Sequence, residues 1–167
     1  MITLDIMIEA GDWGRLEDAE ALAQKAAQAA LAVTYEADGD FEASVMLTDD
    51  AQIQELNRTW RAKDKPTNVL SFPAAQLAPG SNGLPAKISA KQFSGLHELG
   101  DLAICAPVVA REAKEQGKPA QAHWAHMVVH GVLHLLGFDH ENDRDAIAME
   151  ARETKILAQF GYDNPYA

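Results

Sequence analysis

The segment HGVLHLLGFDH, residues 130–140, places three histidines among closely spaced apolar side chains. An apolar helix gains no stability from an imidazole that has no partner. His130 and His134 are four residues apart, so on a helix their Cβ atoms would lie roughly 5–6 Å apart on one face. Gly137 is typical of the residue that ends a helix, and its turn would bring His140 back toward the other two rings. The spacing therefore predicts that all three histidines bind one divalent metal ion.

Three imidazole ligands would leave one position of a tetrahedral ion open to water or substrate, which is typical of a catalytic site. The alternative is a helix whose histidines are incidental, each hydrogen-bonded to a neighbour. Cys105 is the only cysteine and lies far away in the sequence, so a thiolate-rich structural zinc site is disfavoured. Zinc, nickel, cobalt and copper all suit three imidazoles. We expect His126 to support the site or lie in the core, and His123 to lie on the surface.

The same spacing matches H-x-x-x-H-x-x-G-x-x-H, the pattern of the metzincin metalloproteases. Those enzymes carry a glutamate directly after the first histidine, where it serves as the general base. Here that residue is Gly131, which has no group to accept a proton. The pattern therefore disfavours peptide hydrolysis but retains the metal and its open position.

The charge of the chain is unevenly distributed. The formal net charge of −11 argues against a polyanionic partner. However, residues 51–118 hold 9 basic and 6 acidic side chains, whereas residues 1–50 hold 12 acidic and 2 basic ones. The segment RTWRAKDKP, residues 58–66, concentrates four of the cations. It is either a solvated loop or a local phosphate-facing patch.

Arg61, within this basic segment, is the candidate phosphate ligand. A guanidinium group can donate to two phosphate oxygens at once and stays charged at any working pH. Beside a metal ion that activates water, such a cation suits phosphodiester cleavage, where negative charge builds at phosphorus. The alternative for Arg61 is a surface arginine that follows a helix.

The 167 residues are the usual size of one domain, and the remaining patterns predict strands alternating with helices. Strands are predicted at residues 2–9, 43–48, 68–72 and 101–105, and helices at residues 16–33, from 49 or 50 to before Pro66, 107–117, 119–136 and 143–160. The stretch from 74 to 98 contains a long irregular loop, of a kind that is usually functional or disordered. Trp60 and Trp124 fall at helical spacing with apolar residues, which favours the core over base stacking.

These patterns predict a single α+β domain spanning residues 1–167. In it, a small mixed sheet of about four strands packs with several helices, and the metal site lies on the penultimate helix and the following turn. The chain shows neither a signal peptide nor an apolar run long enough to cross a membrane. A single cysteine fits a reducing compartment. We therefore expect a cytoplasmic protein without a membrane partner.

Three segments, in this order, resemble the YbeY family of bacterial endoribonucleases and rRNA maturation factors. They are LNRTWRAKDKPTNVLSFP at residues 56–73, LGDLAIC at residues 99–105 and HGVLHLLGFDH at residues 130–140. The resemblance implies an α+β fold with one bound divalent ion, usually zinc. By position, His130, His134 and His140 match the metal ligands of that family.

The resemblance also bears on the substrate. Arg61 matches the functionally important arginine of the family near the metal cleft, and Asn68 and Phe138 stand where Asp and Tyr are common. The family implies zinc-dependent cleavage of single-stranded rRNA, in maturing the small-subunit rRNA 3′ end and in ribosome quality control. Water and the RNA 2′-hydroxyl are both compatible nucleophiles.

The acidity of the chain limits how it could recognise RNA. Phosphate contacts supply most nonspecific affinity, so an acidic protein would need to dock on the ribosomal small subunit or on an assembly factor to select one site. A noncatalytic assembly factor with a structural metal is the alternative function. A metalloprotease ranks third because of Gly131.

Overall fold

The computed structural model describes residues 1–8, 19–34, 40–74 and 96–167. Within these ranges the chain forms, in order, β1 (Ile2–Ile8), α1 (Ala19–Thr34), β2 (Asp40–Thr48), α2 (Asp50–Arg61), β3 (Val69–Pro73), β4 (Leu96–Cys105), α3 (Ala106–Glu115), α4 (Ala120–Leu135) and α5 (Asp143–Ala158). The start of the first predicted helix, residues 16–18, and most of the predicted loop, residues 75–95, lie outside the described ranges. No helix in the described ranges has both the length and the apolar character needed to cross a bilayer.

The four strands form one mixed sheet in the order β1-β2-β4-β3. β2 runs parallel to both β1 and β4, and β3 pairs antiparallel with β4. This architecture confirms the predicted α+β fold with a four-stranded mixed sheet. Since β3 is an edge strand, one of its sides faces away from the sheet.

β2 and β4 begin earlier than the sequence predicts, at Asp40 and Leu96. Residues 40–42 of β2 pair with residues 96–98 of β4, and the rings of Phe41 and His97 lie 5.9 Å apart. In β2 the apolar alternation extends back to Phe41, which is buried like Ala43. The start of β4, residues 96–98, has one apolar side chain and resembles a loop when viewed alone. The pairing that stabilises both is between segments distant in the sequence, which a local pattern does not reveal.

Helix α4 lies at the centre of the molecule. Eleven of its 16 residues are buried, and it packs against α1, α3 and α5 as well as against β3 and β4. A helix that is apolar on nearly all sides is stable only when it is enclosed. The main core lies between the sheet and α1, α4 and α5, and a smaller cluster forms under α2 on the other face. The most enclosed helix therefore carries two of the three predicted metal ligands, His130 and His134.

A glycine allows β3 to lie close to β4. Gly100 has φ +131°, and a Cβ at this position would lie 2.3 Å from the carbonyl oxygen of Phe72. The register between β2 and β4 also shifts here, opposite Glu42 and Ala43. Such an irregularity bends a strand locally, and it brings the end of β3 against the sheet.

The two tryptophans predicted to be core residues differ. Trp124 is 1% exposed and its indole N–H donates to the carbonyl of Ala19, so this prediction is confirmed. Trp60 is 63% exposed, so the prediction for Trp60 is wrong. Its spacing places it on the same side of α2 as Ile53, but it lies in the last turn. There it meets the ring of Phe72 edge-on, with centroids 6.3 Å apart, and no described element covers the rest of the indole.

Candidate metal centre

The structure brings the three predicted histidines together. His130 and His134 lie on successive turns of α4, with ring centroids 4.7 Å apart. The ring of His140 lies 5.5 Å from that of His130 and 4.9 Å from that of His134. One ring nitrogen from each histidine lies within 4.8 Å of the others. The three side chains therefore form a group of donors that could hold one metal ion.

The turn after α4 is the Schellman motif that Gly137 predicts. Gly137 has φ +99°. The N–H of Phe138 donates to the carbonyl of Leu133, and the N–H of Gly137 donates to the carbonyl of His134, both at 3.0 Å. This pair of bonds ends the helix and reverses the chain. Because the chain reverses here, the ring of His140 lies beside those of His130 and His134, and the carbonyl of Phe138 points back toward α4.

Hydrogen bonds on the far side of two rings fix which nitrogen faces the centre. His134 Nδ1 lies 2.9 Å from the carbonyl oxygen of Phe138. A carbonyl can only accept, so Nδ1 carries the proton and Nε2 keeps a lone pair. His130 Nδ1 lies 2.5 Å from Glu153 Oε1 and donates to that carboxylate in the same way. Such partners orient metal-binding histidines and raise their basicity.

The separation of the two Nε2 atoms suits a tetrahedral ion. They lie 3.2 Å apart, so both nitrogens point into the same small space. Two ligands at about 2.0–2.1 Å from a tetrahedral zinc lie roughly 3.3 Å apart. Burial, followed by the His130 and His140 charges, lowers the pKa of His134 to about 4. Its imidazole is therefore in the neutral form that binds metal.

Glu153, in α5, is the central residue that the sequence reasoning missed. Its side chain is 0% exposed. It accepts hydrogen bonds from His130, from His126 Nε2 at 3.2 Å and from the Tyr166 hydroxyl. Burial alone would raise the pKa of this carboxyl, but the hydrogen bonds from His126 and His130 outweigh it and lower the pKa to about 2. The group is therefore an anion held inside the protein by three donors.

A signal for Glu153 exists in the sequence. It lies at helical spacing from Met149, Ile156 and Leu157, which are all buried residues of α5. A carboxylate within the apolar side of a helix requires a buried donor, because an unpaired buried charge is very costly. The buried histidines of α4 supply those donors.

The two earlier histidines of α4 are both buried. His126 contacts Glu153 and Tyr166, so it supports the site from behind, as one of its two predicted roles requires. His123 is 3% exposed, so the prediction that it lies on the surface is wrong. It is enclosed because α3 packs on α4 and places Glu112 Oε2 3.1 Å from His123 Nε2. Burial lowers the pKa of His123.

The histidines open onto a cleft of about 860 Å³. Arg61, Lys63 and Lys65 line the same cleft. The Arg61 guanidinium donates to the carbonyl of Ser71 at 2.6 Å and lies 5.2 Å from the centre of the Phe72 ring. The structure thus places the candidate phosphate ligand and the three histidines around one space.

Gly131 faces the sheet rather than the cleft. A Cβ on Gly131 would lie 2.8 Å from Leu102 Cδ2 and 3.4 Å from Val69 Cγ2. A glutamate here would meet the packed core of the α4–sheet interface. The protease-like general base is therefore excluded at this position by packing as well as by sequence.

A family model described as Endoribonuclease YbeY matches residues 9–161. The chain belongs to the YbeY endoribonuclease family. A relative from Azorhizobium caulinodans, named Endoribonuclease YbeY, is 48% identical over 165 residues, which cover 98% of this chain and 96% of the relative. A relative of the same name from Halorhodospira halophila is 54% identical over 140 residues, covering 83% of this chain and 84% of that protein.

A solved structure shares the fold. The solution structure of TM1509 from Thermotoga maritima matches with a TM-score of 0.58 at 24% identity, covering 94% of this chain and 88% of that chain. The likeness concerns the fold alone.

The contacts of Asn68 explain why an amide suits this position. Its Nδ2 donates to both carboxylate oxygens of Glu112, at 2.9 and 3.1 Å. An aspartate here would place a second negative charge against Glu112. Since Glu112 also contacts His123, the amide belongs to a polar chain that links the start of β3 to α4.

The role of Glu153 can be tested with Glu153→Gln. We expect the affinity of the centre for zinc to fall by roughly 10- to 100-fold, because the neutral amide accepts more weakly from His130 Nδ1 and makes its Nε2 less basic. Competition with a chelating dye measures the affinity. Glu150→Gln, one turn earlier on α5, is the matched control. Equal affinities in folded samples of both variants would contradict this role.

The Schellman turn can be tested with Gly137→Ala. A side chain at φ +99° should cost about 1–2 kcal/mol of unfolding free energy and also weaken zinc binding, because Phe138 and His140 shift. Gly161→Ala is the control, since its φ is +76° and its new Cβ meets nothing within 4 Å. Urea unfolding and dye competition should show a stability loss in both variants and an affinity loss only at Gly137. If Gly137→Ala binds zinc as tightly as the wild type, the turn does not position the histidines for metal binding.

Proposed function

We propose that this YbeY-family protein is a metal-dependent endoribonuclease that cuts single-stranded rRNA, with zinc held by His130, His134 and His140. The observation that carries the proposal is the convergence of the three histidines and Arg61 on one cleft. The relatives named Endoribonuclease YbeY supply the reaction class. When bound, the metal would polarise a phosphate or activate a nucleophile as a Lewis acid.

The residues around the centre have separable roles in this proposal. His130 and His134 present Nε2 lone pairs because Glu153 and the Phe138 carbonyl hold their Nδ1 protons. Arg61 donates to two backbone carbonyls, and the remaining donors of its five N–H groups would bind phosphate oxygens. Its fixed charge would stabilise the negative charge that builds on the phosphate in the transition state.

The surroundings of the cleft favour a short single strand as substrate. Lys63 and Lys65 add two charges beside Arg61, enough to neutralise a few phosphates. The formal net charge of −11 disfavours broad contact with a long duplex. We therefore propose that the protein acts in the cytoplasm, as one unit over residues 1–167, and gains its rRNA selectivity by docking on the ribosomal small subunit or on an assembly factor.

The proposed roles predict different failures for two variants. Arg61→Ala should lower kcat/KM on single-stranded RNA by roughly 100-fold or more and leave the zinc content unchanged. His134→Ala should lose both zinc and cleavage. Arg58→Ala is the charge-matched control, because Arg58 is three residues away and pairs with Glu55 on the surface. Elemental analysis and cleavage kinetics on the same samples measure both quantities.

Two results would count against the proposal. Unchanged cleavage in both folded variants would assign the activity to a contaminating nuclease and leave a noncatalytic assembly factor with a structural metal. Digestion of casein that depends on His134 would indicate a protease instead. Mapping the ends of the cut RNA distinguishes attack by water from attack by the 2′-hydroxyl.

If the protein docks on the small subunit, the rate and the sites of cleavage should differ between naked RNA and ribosomal particles. Because the basic cleft contacts only a few phosphates, purified protein should cut naked RNA slowly and with little site preference. Small-subunit particles should be cut faster and at fewer sites. Primer extension over a time course measures rate and position together. The same rate and the same sites on both substrates would refute the need for docking.

A further inference from the structure

Trp60 is a large apolar side chain that the described part of the fold leaves mostly uncovered. The indole is 63% exposed, whereas that of Trp124 is 1% exposed. Trp60 lies in the last turn of α2, directly before Arg61, which lines the cleft. The indole itself does not line the cleft, so it lies at the rim beside the proposed phosphate ligand.

The indole of Trp60 contacts the ring of Phe72, which also contacts the Arg61 guanidinium. Phe72 meets Trp60 edge-on, with centroids 6.3 Å apart, and lies 5.2 Å from Arg61 Cζ. Phe72 in turn packs against the buried cluster under α2, which includes Ile53 and Leu70. The indole and the guanidinium therefore rest on one anchored side chain. A ligand that contacts both groups would therefore bind with a smaller entropy cost, because neither side chain needs to be ordered on binding.

The charges around Trp60 favour a polyanionic strand as its occupant. After Arg61 the chain turns at Ala62, whose φ of 56° is left-handed, and continues to Lys63 and Lys65, which line the cleft. Among the described residues, neither lysine side chain has a carboxylate partner. An aromatic platform next to a basic groove is how proteins bind single-stranded nucleic acid, because the groove holds phosphates and the ring stacks on a base.

We propose that Trp60 stacks on an unpaired base of the RNA strand whose phosphate contacts Arg61. This inference rests on the proposed function and adds a subsite to it. A base in a duplex is already stacked and paired, so the platform favours single strands. Every base has a flat face, so it contributes affinity with little sequence preference.

Steady-state cleavage of a short single-stranded oligoribonucleotide tests the subsite. Trp60→Ala should raise KM by roughly 5- to 100-fold with little change in kcat, since stacking binds substrate and transition state alike. Trp60→Phe, which keeps a smaller ring, should raise it less. Ile147→Ala on α5, 68% exposed, is the matched control for loss of an exposed apolar side chain and should change neither constant.

Salt and a modified substrate separate stacking from charge. The effect of Trp60→Ala should persist at high salt, where contributions from Lys63 and Lys65 shrink. A set of oligonucleotides, each lacking one base near the cut, locates the stacked base. One of them should bind the wild type more weakly than the intact strand does, whereas Trp60→Ala should bind that oligonucleotide and the intact strand equally well. Stopped-flow quenching of tryptophan fluorescence, read before cleavage, should be present in the wild type and reduced in Trp60→Phe.

The outcomes distinguish the subsite from the function on which it rests. If wild-type protein neither binds nor cuts RNA, the proposed function fails and the subsite fails with it. If wild type cuts RNA and Trp60→Ala has the same KM, the subsite alone is overturned. A defect of Trp60→Ala that occurs on ribosomal particles but not on naked RNA would also overturn it, and would assign the indole to a protein contact.

Discussion

The hydrogen bonds of the buried Glu153 carboxylate are the interaction on which the histidine cluster and the packing of its helices both depend. The Glu153 side chain is fully buried, and a buried anion is tolerated only when donors surround it. His130 and His126 of α4 and the Tyr166 hydroxyl supply them. The network therefore fastens α5 and the segment after it to α4. By accepting the hydrogen bond from His130 Nδ1, it also directs the opposite nitrogen toward the cleft.

The cleft exists because three elements meet beside an edge strand. α4 lies directly on the sheet because Gly131 has no side chain to hold it away from Leu102. β3 lies close to β4 because Gly100 leaves room for the Phe72 carbonyl. The end of α2 then reaches β3 through Arg61. Two close backbone approaches thus determine how near a phosphate ligand can lie to the histidines.

The parts of the site that the sequence predicts are local, and the parts it misses are not. His130, His134 and Gly137 lie within eight residues of one another, so helical spacing and a C-terminal glycine place them without knowledge of the fold. Glu153 contacts His130 across 23 residues, and Glu112 encloses His123 across 11. Trp60 shows a different limit. Its spacing gives the correct side of α2, but it does not reveal that, in the described part of the chain, no element packs over the last turn of this helix. The sheet follows the same rule at the start of β4, where residues 96–98 have one apolar side chain and form a strand by pairing with residues 40–42 of β2.

An acidic protein can attract a phosphate at such a site because dissolved salt limits the range over which exposed charges interact. Screening reduces interactions between exposed charges beyond about 8–10 Å at physiological salt. Asp5, Glu42 and Glu98 lie together on β1, β2 and β4, whereas the cations border the β3 edge. A phosphate inside the cleft is therefore attracted at contact distance by Arg61, Lys63 and Lys65, which share the lining with Asp139 and Glu141. Repulsion from carboxylates more than a screening length away is reduced. A long duplex lying across the protein would meet both surfaces, so the charge pattern itself favours a strand that enters the cleft locally.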